Sequence, residues 1–135
     1  METLVKNSVT VAQMYEAFGR GDIAFIVKHL DKNVEWNAMG TQPIPTSGRY
    51  KGAAEVPKFF HNLASYYQLE NFIVYYIVDC NDDTVIARGH HTGKGLKTGK
   101  PLETHWAMEW KFNEEGKVTA YQNIFDTQAY ANVLQ

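Results

Sequence analysis

Residues 84–126, TVIARGHHTGKGLKTGKPLETHWAMEWKFNEEGKVTAYQNIFD, decide the fold. Three segments read as long strands: Thr84 to Thr92, Glu103 to Phe112 and Lys117 to Asp126. They are separated by Gly93-Lys94-Gly95-Leu96-Lys97-Thr98-Gly99-Lys100-Pro101 and by Asn113-Glu114-Glu115-Gly116. Glycine lacks the Cβ that forbids positive φ, so both gaps are competent turns. The rest of the chain is expected to cover one face of this sheet.

Working outward, Leu69 to Cys80 is rich in β-branched and aromatic residues and reads as a further strand. Its run Phe72 to Val78 is almost wholly apolar, which predicts cover on both faces. Ala53 to Tyr67 has a helical stripe of Val56, Phe59, Phe60 and Leu63, with Pro57 confined to the first turn. Met39 to Gly52 reads as loop. Val34 to Ala38 is a short strand around Trp36. At the start, Val11, Met14, Tyr15 and Phe18 fall at i, i+3, i+4 and i+7, which predicts a helix over Ser8 to Phe18 capped by Ser8 or Asn7. Gly19-Arg20-Gly21 ends it, and Asp22 caps a second helix running to Leu30. Thr127 to Leu134 is a short terminal helix or extension. The pattern is helices first, then a largely antiparallel, strongly curved sheet: class α+β.

Composition narrows function mainly by exclusion. The 135 residues suit one domain with a real core. A net charge of −2 and no basic stripe give no reason to expect nucleic acid. The first residues lack a signal-peptide apolar core, and no run approaches the ~20 apolar residues of a membrane span. No membrane partner and a cytoplasmic location are therefore expected. The single cysteine, Cys80, is expected to pack as a small hydrophobe. No phosphate-cradling glycine loop and no Gly-x-Ser-x-Gly elbow occur, so no cofactor is expected. His90 and His91 are adjacent on a strand and point to opposite faces, so no metal site is expected either.

Several strings in order carry a family resemblance: Tyr15-Glu16-Ala17-Phe18-Gly19-Arg20-Gly21-Asp22, Val34-Glu35-Trp36, Gly48-Arg49-Tyr50-Lys51-Gly52, Phe59-Phe60, Thr98-Gly99-Lys100-Pro101, and Trp110-Lys111-Phe112 with Gly116-Lys117-Val118. Together they resemble the SnoaL-like branch of the NTF2-like superfamily, which includes ketosteroid isomerase-like and polyketide cyclase-like proteins. The resemblance covers nearly the whole chain, so a single SnoaL-like domain over 1–135 is expected. It implies a cone in which a curved sheet packs on about three helices of the N-terminal half, around a pocket. It also implies a homodimer through the outer sheet face. The fold hosts many activities, so it does not by itself fix one.

Departures from the family pattern are informative. The ketosteroid isomerase base falls on Trp36. Its oxyanion tyrosine falls on Met14, with Tyr15 one step away and turned by ~100°. Its second aspartate falls on Met108. The cyclase aspartate falls on Asn123, which cannot act as a base.

Strand alternation assigns the inward faces. Ala87, Gly89 and His91 share one with Trp106, Met108, Trp110 and Phe112, and with Tyr121, Asn123 and Phe125. Arg88, His90, His105, Glu109 and Gln122 face outward. His91 is the candidate general base, with Tyr121 and Asn123 orienting a substrate oxygen; the competing reading is a histidine satisfied by a backbone carbonyl at a strand end. Met14, Phe18, Trp36 and Phe59, with Trp106, Met108, Trp110 and Phe125, are the candidate ligand wall. Trp110 reads first as packed core, whereas Trp36 and Trp106 serve core and wall equally well.

Two functions stay open. One is proton-transfer chemistry of the isomerase or cyclase type on a small ring-bearing carbonyl compound. The other is non-catalytic binding of a small apolar molecule, or a dimerisation module.

Overall fold

The computed structural model describes residues 5–135. Helix α1 spans Asn7–Gly19 and α2 Ile23–Lys28; strands β1, Leu30–Ala38, and β2, Gly48–Lys51, follow. Helix α3, Val56–Tyr66, leads directly into β3, Tyr67–Asp79. Strands β4, Thr84–Gly95, β5, Pro101–Phe112, and β6, Val118–Phe125, precede α4, Thr127–Asn132. The six strands form one open curved sheet in the order β2-β1-β6-β5-β4-β3, antiparallel except for the β1–β6 pair. This is the α+β, NTF2-like cone the sequence implies, with α4 as a fourth helix at the C-terminus.

Local chemistry explains the element ends. Past α1, the Gly21 N–H donates to Phe18 O and the Asp22 N–H to Ala17 O, the paired bonds of a Schellman stop, with Gly21 at φ 75°. The Asp22 carboxylate accepts from the Phe25 N–H and caps α2. Asp126 accepts from the Ala129 N–H and caps α4. The start of α1 differs from expectation. Lys6 occupies the cap without a side-chain bond. Asp79 of β3 instead accepts from the Ser8 N–H and hydroxyl, at 3.1 and 2.5 Å, so the cap comes from 71 residues away.

Three boundaries and two burial expectations need correction. The segment 39–52 is not all loop, because β2 pairs with β1, Trp36 opposite Tyr50. Four residues carrying no apolar alternation give no strand signal of their own. Helix α2 stops at Lys28, and Leu30 already pairs with Val118 in the sheet. Helix α3 starts at Val56, since 53–55 form a turn. Strand β3 is covered on one face only. It is the sheet edge, broken by two register shifts, and Ile73, Tyr75, Tyr76 and Val78 stand about half exposed. Cys80, just past its end, is exposed rather than packed.

The other strands alternate as their sequence requires. Val85, Ala87, Gly89 and His91 of β4 are buried, as are Trp106, Trp110 and Phe112 of β5. A register shift near Val118 re-aims β6, so that Tyr121, Asn123 and Phe125 lie opposite Trp110, Met108 and Trp106. At Gly89 a side chain is impossible: a Cβ there would collide with the Trp106 indole and the Ile73 carbonyl. The main core joins α1, α2 and α3 to the concave face through Val11, Met14, Val34, Trp36, Val56 and Val118. A second cluster of Ile44, Tyr67, Leu102, Tyr130 and Val133 closes the end where α4 returns.

Candidate functional site

The concave face encloses a cavity of about 70 Å³. It is a narrow crevice with room for a few waters, so a larger guest enters by parting the lining side chains. His91, Tyr121 and Asn123 line it, and so do Met14, Phe18, Trp36 and Phe59. Trp106, Met108, Trp110 and Phe125 complete the set of residues the sequence puts there. Among the described residues, no Asp, Glu, Lys or Arg reaches this lining.

Ring geometry gives the crevice flat walls. Trp36 stacks on Tyr121 at 3.8 Å between centroids and 19° between planes. Phe72 lies near-parallel to both Trp106, at 4.9 Å and 17°, and His91, at 5.8 Å and 16°. Trp110 meets Trp36 edge to face. Such contacts add to simple area burial and lock each ring in one orientation.

The polar groups divide into engaged and free. The Trp110 indole N–H donates to the Tyr15 hydroxyl at 3.2 Å, and that hydroxyl donates to Met108 Sδ at 3.2 Å. Burial pushes the Tyr15 hydroxyl well above its ordinary pKa, so it stays protonated. Burial does the same at Tyr121, with the hydrogen bond from the Asn123 side chain opposing it only in part. Asn123 Oδ1 accepts the Met39 N–H at 2.7 Å, so this side chain also ties down the loop after β1. The His91 imidazole is 3% exposed, and its Nε2 lies 2.8 Å from the Tyr130 hydroxyl of α4. Desolvation holds the His91 pKa down to about 4; an approach of the Thr92 backbone to the ring, short of hydrogen-bond geometry, opposes the shift and the neighbouring His90 adds to it. The ring is therefore neutral at physiological pH. Among the described residues, three buried side-chain polar atoms have no hydrogen-bond partner: Trp36 Nε1, Trp106 Nε1 and His91 Nδ1.

Two expectations change here. Tyr15 is not turned away; its ring packs 5.4 Å from Trp106 and it lines the crevice. A helix lying across a concave sheet offers a wide stripe, so Met14 and Tyr15 both face inward. The His91 ring also has a hydrogen-bond partner that the sequence did not suggest, the Tyr130 hydroxyl. Sequence reasoning also missed Phe60, Phe72 and Tyr130 as lining residues. Phe60 was legible as part of the α3 stripe. Phe72 was not, because the two shifts in β3 break its alternation. Nothing local marks Tyr130. Outside the crevice, His90 faces the other way, 3.5 Å from Glu103 and beside His105.

The model of the SnoaL-like domain matches residues 11–121. The chain belongs to the SnoaL-like family. Among solved structures, an NTF2-like protein of unknown function from Burkholderia pseudomallei superposes with a TM-score of 0.87 at 20% identity, over 98% of this chain and 99% of that one. An NTF2-like protein from Burkholderia thailandensis gives 0.86 at 28% identity, also over 98% and 99%. TerC, co-crystallised with polyporic acid, gives 0.84 at 21% identity over 96% and 98%. No curated protein matches the chain. No described helix of this SnoaL-like protein is long and apolar enough to cross a membrane.

Proposed function

We propose that this SnoaL-like protein binds a small, flat, ring-bearing and mostly apolar molecule between the aromatic walls of its crevice. The observation that carries this reading is the lining itself. Stacked aromatic rings line the space, and among the described residues no ionic side chain enters it. A flat apolar guest loses water on both faces there, while a charged one would be stranded without a counter-ion. The crystallisation of TerC with polyporic acid, on a similar fold, supports the same reading by analogy.

The outer face suggests how the protein assembles. Ile73, Tyr75, Tyr76, Val78 and Ile124 expose large apolar side chains there. Exposed apolar side chains on this face suit an interaction surface, and a homodimer through that face fits the family.

The test of ligand binding is equilibrium dialysis with fluorene, a rigid flat hydrocarbon. Saturable one-to-one binding, weakened at least tenfold in Trp106→Ala, supports the reading. Failure of the folded protein to bind either fluorene or its ketone, 9-fluorenone, overturns it.

A second reading, proton transfer, draws on the neutral His91 ring within the crevice. In it His91 is the base through an unprotonated Nδ1, its proton lying on Nε2 toward the Tyr130 hydroxyl, with Tyr121 and Asn123 directed at a substrate oxygen. Deuterium exchange next to the carbonyl of 1-indanone tests it. Exchange by the wild type, lost in a folded His91→Gln variant, supports catalysis. No exchange leaves binding as the function.

A further inference from the structure

Among the described residues, the three buried side-chain polar atoms that lack a partner all belong to the crevice: Trp36 Nε1, Trp106 Nε1 and His91 Nδ1. Their side chains are between 1% and 3% exposed, so solvent does not satisfy them at the surface. An unpaired buried donor is rare and costs free energy, so three around one void point to a guest that completes them.

The two indole nitrogens are donors by chemistry. The imidazole is decided by its neighbour. The Tyr130 hydroxyl is buried, and burial keeps it protonated. Its proton needs an acceptor, and Nε2 of His91 stands 2.8 Å away. A neutral ring accepting at Nε2 carries its own proton on Nδ1. The third unpaired atom is then a donor as well. Of the other polar groups in the lining, Trp110 is bonded to Tyr15, Tyr15 to Met108, and Asn123 Oδ1 to the Met39 N–H.

We propose that Trp36, Trp106 and His91 form a donor-only recognition set, with Tyr130 fixing the His91 tautomer, and that the guest is a planar ring compound whose polar atoms are hydrogen-bond acceptors such as ring carbonyl oxygens. This rests on the aromatic-crevice reading above and sharpens it from flat and apolar to flat and acceptor-bearing. A hydrocarbon of the same shape fills the space and leaves the donors unpaired. A site built to bond a polar group discriminates strongly against an analogue lacking it. Tyr130 is a positioning residue here, acting through the imidazole.

Fluorene and 9-fluorenone, alike in shape and differing by one carbonyl, make the test. By equilibrium dialysis, 9-fluorenone binds about tenfold or more tightly than fluorene. Trp36→Phe, Trp106→Phe or His91→Phe brings that ratio toward one for at least one of the three. In ¹H–¹⁵N spectra, 9-fluorenone moves the indole N–H signal of Trp36 or Trp106 downfield, or the Nδ1–H of His91. The Trp110 signal, already bonded to Tyr15, is the internal control. The ¹⁵N shifts of His91 report a proton on Nδ1, and Tyr130→Phe redistributes it toward Nε2. Failure of fluorene and 9-fluorenone alike to bind overturns the crevice reading itself. Binding of both with equal affinity, or a His91 proton on Nε2 in the wild type, overturns the donor set while leaving that reading intact.

Discussion

The indole of Trp36 and the phenol ring of Tyr121 sit face to face, 3.8 Å apart, on directly paired positions of the two parallel strands β1 and β6. Parallel neighbours need a long crossover, and here more than half of the chain separates them. The ring pair thus ties the N-terminal half to the last strand. Trp36 also touches Phe59, Phe60 and Trp110. Trp36→Ala should lower the unfolding free energy by about 3–5 kcal/mol. Trp36→Phe, which keeps a ring in place, should lose clearly less. Urea titration of both variants checks the order.

His91 predicts a pH dependence of stability. Its pKa is about 4 when folded, against an ordinary 6.5. Between those values the unfolded chain binds the proton and the folded chain resists it, so stability falls as pH drops from about 6.5 toward 4 and stops falling on this account below that. No acidic side chain among the described crevice residues offsets the charge; Tyr130 and Phe72 flank the ring, and His90 adjoins it. The full effect is on the order of 3 kcal/mol. His91→Gln removes this contribution, so the wild type should lose more stability than the variant between pH 7 and pH 4.5. Parallel curves would contradict the burial argument.

The contrast between His91 and Tyr130 shows what the sequence can carry. Strand parity places His91, Trp106, Met108, Tyr121 and Asn123 on one face before any coordinates exist, because alternation is a local rule. The same rule misreads β3, where two shifts break the alternation and edge position leaves Tyr75 and Val78 in solvent. Edge position is a property of the whole sheet, invisible in one segment. Tyr130 meets His91 across 39 residues through a two-turn helix, a contact that no local pattern encodes. The cap of α1 by Asp79 is hidden for the same reason.

That cap makes its own prediction. Asp79→Ala leaves the Ser8 N–H and hydroxyl without their acceptor. The cost should be about 1 kcal/mol, as for loss of an ordinary N-cap. Hydrogen exchange should quicken at the first turn of α1 and at the end of β3 together. A change confined to β3 would show that the Asp79 bonds contribute nothing to the helix.

The outer face gives a further expectation. Ile73 and Tyr76 are each 48% exposed on β3. Ile73→Glu with Tyr76→Glu should convert a dimer sedimenting near twice 15.4 kDa into a monomer without loss of fold. A wild-type monomer at every concentration would contradict the proposed assembly.

The most direct measurement concerns two methyl groups. Met14 and Met108 line the crevice, whereas Met39 stands 36% exposed outside its lining. In ¹H–¹³C methyl spectra titrated with fluorene, the Met14 and Met108 signals should move together and saturate at one equivalent, shifted by the ring current of the guest, with Met39 unmoved. Shifts at Met39 alone, or none at Met14 and Met108 up to saturating fluorene, would contradict the claim that the aromatic crevice is where this protein holds its ligand.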